Sequence, residues 1–217
     1  MERLVKNFLE FMPILLNGTI YTIEITVAAI ILSTVLGFVF SLALVSDRVW
    51  IYRPVRIWIN FIRGVPLLVQ MFYVYFVMPD IGIKLNAMQA SIFALSVCYA
   101  SYHAEIFRAG ILSIPKGQWE SAKSIGLRYW QIMTRVILPQ AARVILPPMG
   151  TSYIILLKDS SLASVITVRE LTRSGQLIAT STFENMQVFT MVALIYVTLT
   201  QILAFFIQRS ERKFRIS

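Results

Sequence analysis

The residues of this chain best suited to chemistry are polar side chains set inside apolar runs. Glu24 stands between Ile23 and Ile25, Gln70 lies within a second run, Glu105 near the end of a third, and Asp159 closes a fourth beside Ser160 and Ser161. An acid in hydrocarbon costs about 2.5–3.5 kcal/mol on insertion scales, so each is expected to face protein or a cavity and to have a partner. A cationic ligand or a polar cavity would offset that cost. The chemistry on offer is recognition of a small solute, with Glu24, Gln70, Glu105, Asp159 and Ser160 as candidate contacts. Each also has a plainer reading. Glu105 precedes Arg108 by three residues, the spacing of a structural ion pair. Gln70 could join two helices, and Asp159, next to Lys158, could cap the following segment. Glu24 has no cation close in sequence, and Arg63 is an available internal partner for an acid. No catalytic or metal set is expected. Cys98 and His103 are the single cysteine and histidine. Five residues apart, they make no ligand set. Cys98 reads as a small buried hydrophobe and His103 as a packing residue.

The elements that must hold these groups are membrane helices. Of the 217 residues, 57% are hydrophobic and 14% charged, with a mean hydropathy of +0.71; a soluble domain is about a quarter charged. A spanning helix needs about 20 predominantly apolar residues, and five stretches qualify: 17–45, 57–78, 87–107, 141–157 and 188–207. The fourth carries Pro147 and Pro148, which a span tolerates where it packs in protein or lines a cavity. The N-terminus, "MERLVKNFLEFMP", carries two acids and precedes too long an apolar run to be a signal peptide. Its Leu4, Val5, Phe8, Leu9 and Met12 recur at helical spacing, and residues 1–13 read as a helix lying at the membrane surface. The expected fold is all-α, one transmembrane domain over 1–217.

Charge sets the orientation. Thirteen Lys and Arg follow the first, third and fifth spans, against six on the other side, with Arg63 inside the second span. The positive-inside rule then places the N-terminus outside and the C-terminus in the cytoplasm. The net charge of +9 is spent on this pattern and implies no nucleic-acid partner.

One segment interrupts the apolar chain: "QWESAKSIGLRYWQIMTRVILPQ", residues 118–140, inside an expected cytoplasmic loop over 108–140. Pro115 and Gly117 break the chain, a short helix is expected over Gln118–Ile125, and Gly126 suits its C′ position, where positive φ is often needed. A second helical run is expected from Tyr129 to Ile137. Trp119 and Ala122 share a face of the first helix. A solvated amphipathic loop accounts for the periodicity; a small-residue surface beside a Trp is more like a docking surface for a partner.

This segment resembles the EAA loop of ATP-binding-cassette (ABC) importer permeases. The family pattern is Glu-Ala-Ala, three residues, Gly, nine residues, Ile, one residue, Leu-Pro. Here Glu120-Ser121-Ala122, Gly126, Val136 and Leu138-Pro139 keep every spacing, with Ser121 for Ala and Val136 for Ile. "NFIRGVPLLVQ" (Asn60–Gln70), "EIFRAGILSIPKGQWESA" (Glu105–Ala122) and "LKDSSLASVI" (Leu157–Ile166) are similar to the polar amino acid branch of these permeases. The resemblance implies a bacterial inner-membrane permease working as a dimer, with itself or a paralogue. It implies two ATPase subunits, a periplasmic or extracellular solute-binding protein, and an amino acid substrate. Trp119, Glu120, Ser121, Ala122, Gly126, Leu138 and Pro139 would couple to the ATPase. No Walker A loop of the form GxxxxGK[ST] occurs, so ATP and magnesium belong on the partner and this chain holds no cofactor. Several acids among few intramembrane cations lean toward arginine, lysine or histidine as substrate. The rivals are an ion-coupled secondary transporter or channel, which predicts inverted repeats not seen here, and a membrane anchor for a cytosolic complex.

Overall fold

The computed structural model describes residues 2–215, with side chains described from Lys6 to Arg212. Met1 and Ser217, the two ends of the orientation expectation, lie outside the described residues, as do the side chains of Leu4 and Val5. Among the described residues all regular structure is helical. Helix α1 runs unbroken through Glu2–Leu44, so residues 2–13 join the first span without a break. At 1.5 Å per residue its 43 residues reach about 65 Å, twice the hydrocarbon thickness. Its buried threonines return their hydroxyls to carbonyls one turn back, Thr19 to Leu15 and Thr26 to Thr22.

The expected span over 57–78 is two helices, α2 (Val49–Gly64) and α3 (Leu67–Phe72), and the second continues helically to Ile81. The pair is bent by 102°. Pro66 supplies the cause: it has no N–H, and it pushes the preceding residue out of the helical region, with Val65 at φ −104°, ψ 129°. Helix α4 (Ala87–Leu112) starts on a capping box, Asn86 accepting from the Gln89 amide while the Gln89 side chain accepts from Asn86. It packs along α1, where Gly37 lets the helices close: a Cβ there would stand 2.6 Å from that of His103.

After α4 come α5 (Lys116–Ser124), α6 (Tyr129–Ile132) and α7 (Leu138–Asp159), the last two joined by a π turn. Pro139 therefore sits in the first turn of α7 rather than ending a separate helix. A 3-10 turn over Ser160–Ile166 leads to α8 (Leu171–Thr182) and α9 (Asn185–Arg215). The sequence reading lacked α8. Its N-cap, Glu170, is fully buried and accepts from the amides of Thr172 and Arg173 and the hydroxyls of Tyr196 and Thr22, joining α8 to α9 and α1.

Among the described residues two helices, Lys6–Leu44 and Asn185–Arg212, are long and apolar enough to cross a membrane, or up to four spans if each bent pair counts as one. At 26 residues α4 is long enough, but Ser91, Ser96, Ser101 and His103 lower its hydropathy. They are buried inside the bundle, so α4 meets protein where an outer helix would meet lipid. The expected count of five spans is thus not reached by length and composition alone.

Candidate functional site

A cavity of about 700 Å³ opens between α2, α4 and α7. Arg63 and the Gly64–Leu67 bend form one wall. Tyr99, Tyr102 and Glu105 of α4 form the second, and Pro148, Thr151, Ser152 and Asp159 of α7 the third. Pro148 of the proline pair thus borders a cavity, one of the settings in which a span tolerates proline. The guanidinium of Arg63 lies 5.0 Å from the centre of the Tyr102 ring, a cation–π contact that holds the charge in a wall without neutralising it. Asp159 is half-buried, and its Oδ2 accepts from the Tyr99 hydroxyl at 2.7 Å. Glu105 is bound from two sides, by the Arg108 Nε at 2.8 Å and by Arg56 of α2. The i,i+3 pair expected from sequence is present, and Arg56 makes it a cluster linking α2 to α4.

The five candidate contacts separate. Asp159 and Glu105 line the cavity. Glu24 does not; its side chain is exposed on α1 among Ile20, Ile23 and Val27, and it does not approach Asp159 through this cavity. Gln70 is buried, and its amide donates to the carbonyls of Ile62 and Val65 at 2.9 and 2.8 Å. It satisfies the open end of α2 at the bend, a contact of the joining kind that its plainer reading expects. Ser160 is buried and donates to the Leu157 carbonyl, a local helix-end bond outside the lining. Sequence reasoning missed Tyr99, Tyr102, Thr151 and Ser152. Asp159 and Ser152 stand seven residues apart, the two-turn repeat of one helix face, a signal that was readable once Asp159 was chosen.

The loop after α4 packs into a small core that it shares with the adjoining ends of α4 and α7. Ala122 is buried with Ile132, Met133 and Ile137, and Trp119 packs at the edge of this cluster. The face expected to dock therefore points inward, while Glu120, Ser121 and Ile125 are exposed. The helix end is a Schellman turn: the Gly126 amide donates to Lys123 O at 2.9 Å and the Leu127 amide to Ala122 O at 3.3 Å. Gly126 has φ +79°, as its position predicts. Leu138 is half-buried and Pro139 exposed.

Residues 29–216 match the family described as the binding-protein-dependent transport system inner membrane component. The chain belongs to this family. It is the transmembrane permease component of an ABC importer, a multi-pass inner-membrane protein, and the ATPase is a separate subunit. The permease is similar to the probable amino-acid ABC transporter permease protein YckA of Bacillus subtilis. The two are 41% identical over 209 residues, covering 96% of this chain and 92% of that one. It is also 36% identical to the glutamine transport system permease protein GlnP of Escherichia coli K12, over 94% of both chains. Among solved structures it matches the crystal structure of an amino acid ABC transporter with histidines. There the TM-score is 0.87 at 32% identity, covering 95% of this chain and 97% of that one.

Proposed function

We propose that this permease passes polar amino acids through the cavity between α2, α4 and α7. The observation that carries the reading is the pair of opposite charges in its walls. Arg63 matches an α-carboxylate, and Asp159, oriented by Tyr99, matches an α-ammonium. Every free amino acid carries both groups, so Asp159 needs no basic side chain to explain it. Glu105 is already paired with two arginines. The acids therefore leave no surplus negative charge, and the reading is of polar amino acids in general rather than basic ones. The relatives named for amino acids and for glutamine support it.

In this reading α4 is the fifth span, its polar residues covered by α1 and α7. The N-terminus lies outside and the loop of α5 and α6 in the cytoplasm, as the basic residues favour. The exposed edge of α5, with Glu120, Ser121 and Ile125, docks on the ATPase, while Trp119, Ala122, Gly126, Leu138 and Pro139 shape the loop that presents it. Two permease chains, two ATPases binding ATP and magnesium, and an external solute-binding protein complete the transporter. Binding of labelled amino acids to the purified permease–ATPase complex tests the cavity. Asp159→Asn and Arg63→Gln are expected to weaken alanine, glutamine and arginine alike, because each removes a partner of the common backbone. Unchanged binding in both variants would refute the assignment.

A further inference from the structure

His103 is fully buried on α4, where α1, α4 and α7 meet, yet the bond it makes leads to the cavity wall. Its Nε2 is 2.9 Å from the Oγ of Ser152. Its Nδ1 is buried and makes no well-formed hydrogen bond, although the ring also interacts with the backbone of Ser33. A buried imidazole with one nitrogen poorly served is costly, and Val or Leu would fill the space between Tyr99 and Tyr153 without that cost. The bond to Ser152 is what distinguishes histidine here. Ser152 is itself 92% buried, at 8% exposure, and contributes to the cavity lining.

A hydroxyl has one hydrogen and two lone pairs. If His103 donates to Ser152, one lone pair and the hydrogen remain. If Ser152 donates to His103, both lone pairs remain. In either tautomer the serine oxygen can accept one further N–H from the cavity. The other acceptor on this face of α7 is Asp159, two turns along, a rise of about 10 Å. Side chains converging from that separation leave room between them for an extended solute.

We propose that His103 is a positioning residue that fixes Ser152 as a second acceptor subsite, selecting amino acids whose long side chains end in N–H donors. The reading rests on the assignment of Arg63 and Asp159 to the amino acid backbone. With the ammonium at Asp159, the terminal amide of glutamine or the guanidinium of arginine reaches toward Ser152. Glutamate presents oxygens there, and alanine falls short.

The test is equilibrium binding of L-glutamine, L-arginine, L-glutamate and L-alanine to the purified permease–ATPase complex. Ser152→Ala, which removes one oxygen and little volume, is expected to weaken glutamine and arginine about tenfold, the worth of one hydrogen bond, and to leave alanine unchanged. His103→Leu should give the same selective loss, the double variant no further loss, and His103→Gln, which returns a polar group near Nε2, should recover most of it. A general loss of affinity in His103→Leu with Ser152→Ala unaffected would overturn the proposal and leave a packing role. Unchanged glutamine and arginine binding in Ser152→Ala would also overturn it, while losses in Asp159→Asn and Arg63→Gln kept the cavity reading intact. If those two variants bind normally as well, the cavity reading itself falls.

Discussion

Substituting Gly126 perturbs the loop after α4 through its backbone alone. The residue has φ +79°, and no atom lies within 4 Å of the position a Cβ would take. A side chain there meets no neighbour, so its cost is conformational. For an L-residue such as alanine the left-handed region costs about 1–2 kcal/mol; asparagine visits it more readily, and a β-branched valine fits it worst. Because Gly126 closes the Schellman turn onto Lys123 and Ala122, that cost falls on the end of α5. An increment of this size shifts the balance between the folded and opened turn by roughly 5- to 30-fold. Amino acid uptake per ATP hydrolysed, measured with the ATPase in proteoliposomes, is therefore expected to fall in the order Gly126, Asn, Ala, Val, while the chain still inserts in the membrane. Retention of the ATPase during purification should follow the same order. Full coupling in Gly126→Ala and Gly126→Val, or asparagine worse than alanine, would refute the reasoning, because neither fits a left-handed helix end.

Four further outcomes follow from the geometry. Asp159→Asn should weaken amino acid binding by about 1.5–3 kcal/mol, the value of a hydrogen bond to a charged group, and Tyr99→Phe by less, both read by equilibrium binding. Glu24→Gln should leave uptake at the parental rate, since Glu24 lies outside the cavity lining; a loss would return it to the solute path. Gln70→Leu should lower thermal stability by about 1–3 kcal/mol, through the α2 carbonyls left unpaired, with little change in affinity; a reversed pattern would make Gln70 a ligand. In a Cys98→Ser background, a cysteine replacing Met186 (88% exposed) should react with an impermeant thiol reagent in intact cells and one replacing Ile125 (75% exposed) should not; the opposite labelling would invert the topology.

The loop was the most legible part of the sequence, because helix ends are written locally. Pro115, Gly117 and Gly126 bound α5 within two residues of its position, and the sign of φ at Gly126 followed from its place after the helix. The bend at Pro66 was equally local, yet the run over 57–78 was read for hydropathy, which does not register direction. The cavity was half legible. Asp159 and Glu105 drew notice as acids in apolar runs, but so did Glu24, and nothing in the chain order says which face of a long helix is covered. Its exposure depends on α4 and α8 packing against the opposite side of α1. Gln70 illustrates the same limit: its partners are the carbonyls of Ile62 and Val65, which become open only because Pro66 breaks the helix. Ala122 was placed on the apolar face of α5, but the apolar side of a short helix can meet another chain or its own, and here Ile132, Met133 and Ile137 pack with it. Ser152 and His103 looked like ordinary helix residues until α4 and α7 were brought together.

The central claim is that this chain is the path of an ATP-driven amino acid importer. The direct test is uptake of labelled glutamine into proteoliposomes holding the permease, its ATPase and its solute-binding protein, with proton and sodium gradients collapsed by ionophores. The account predicts uptake that requires ATP and magnesium on the ATPase side, persists without any ion gradient, and is lost when the ATPase is omitted. Uptake by the permease alone, driven by an imposed ion gradient without ATP, would contradict it.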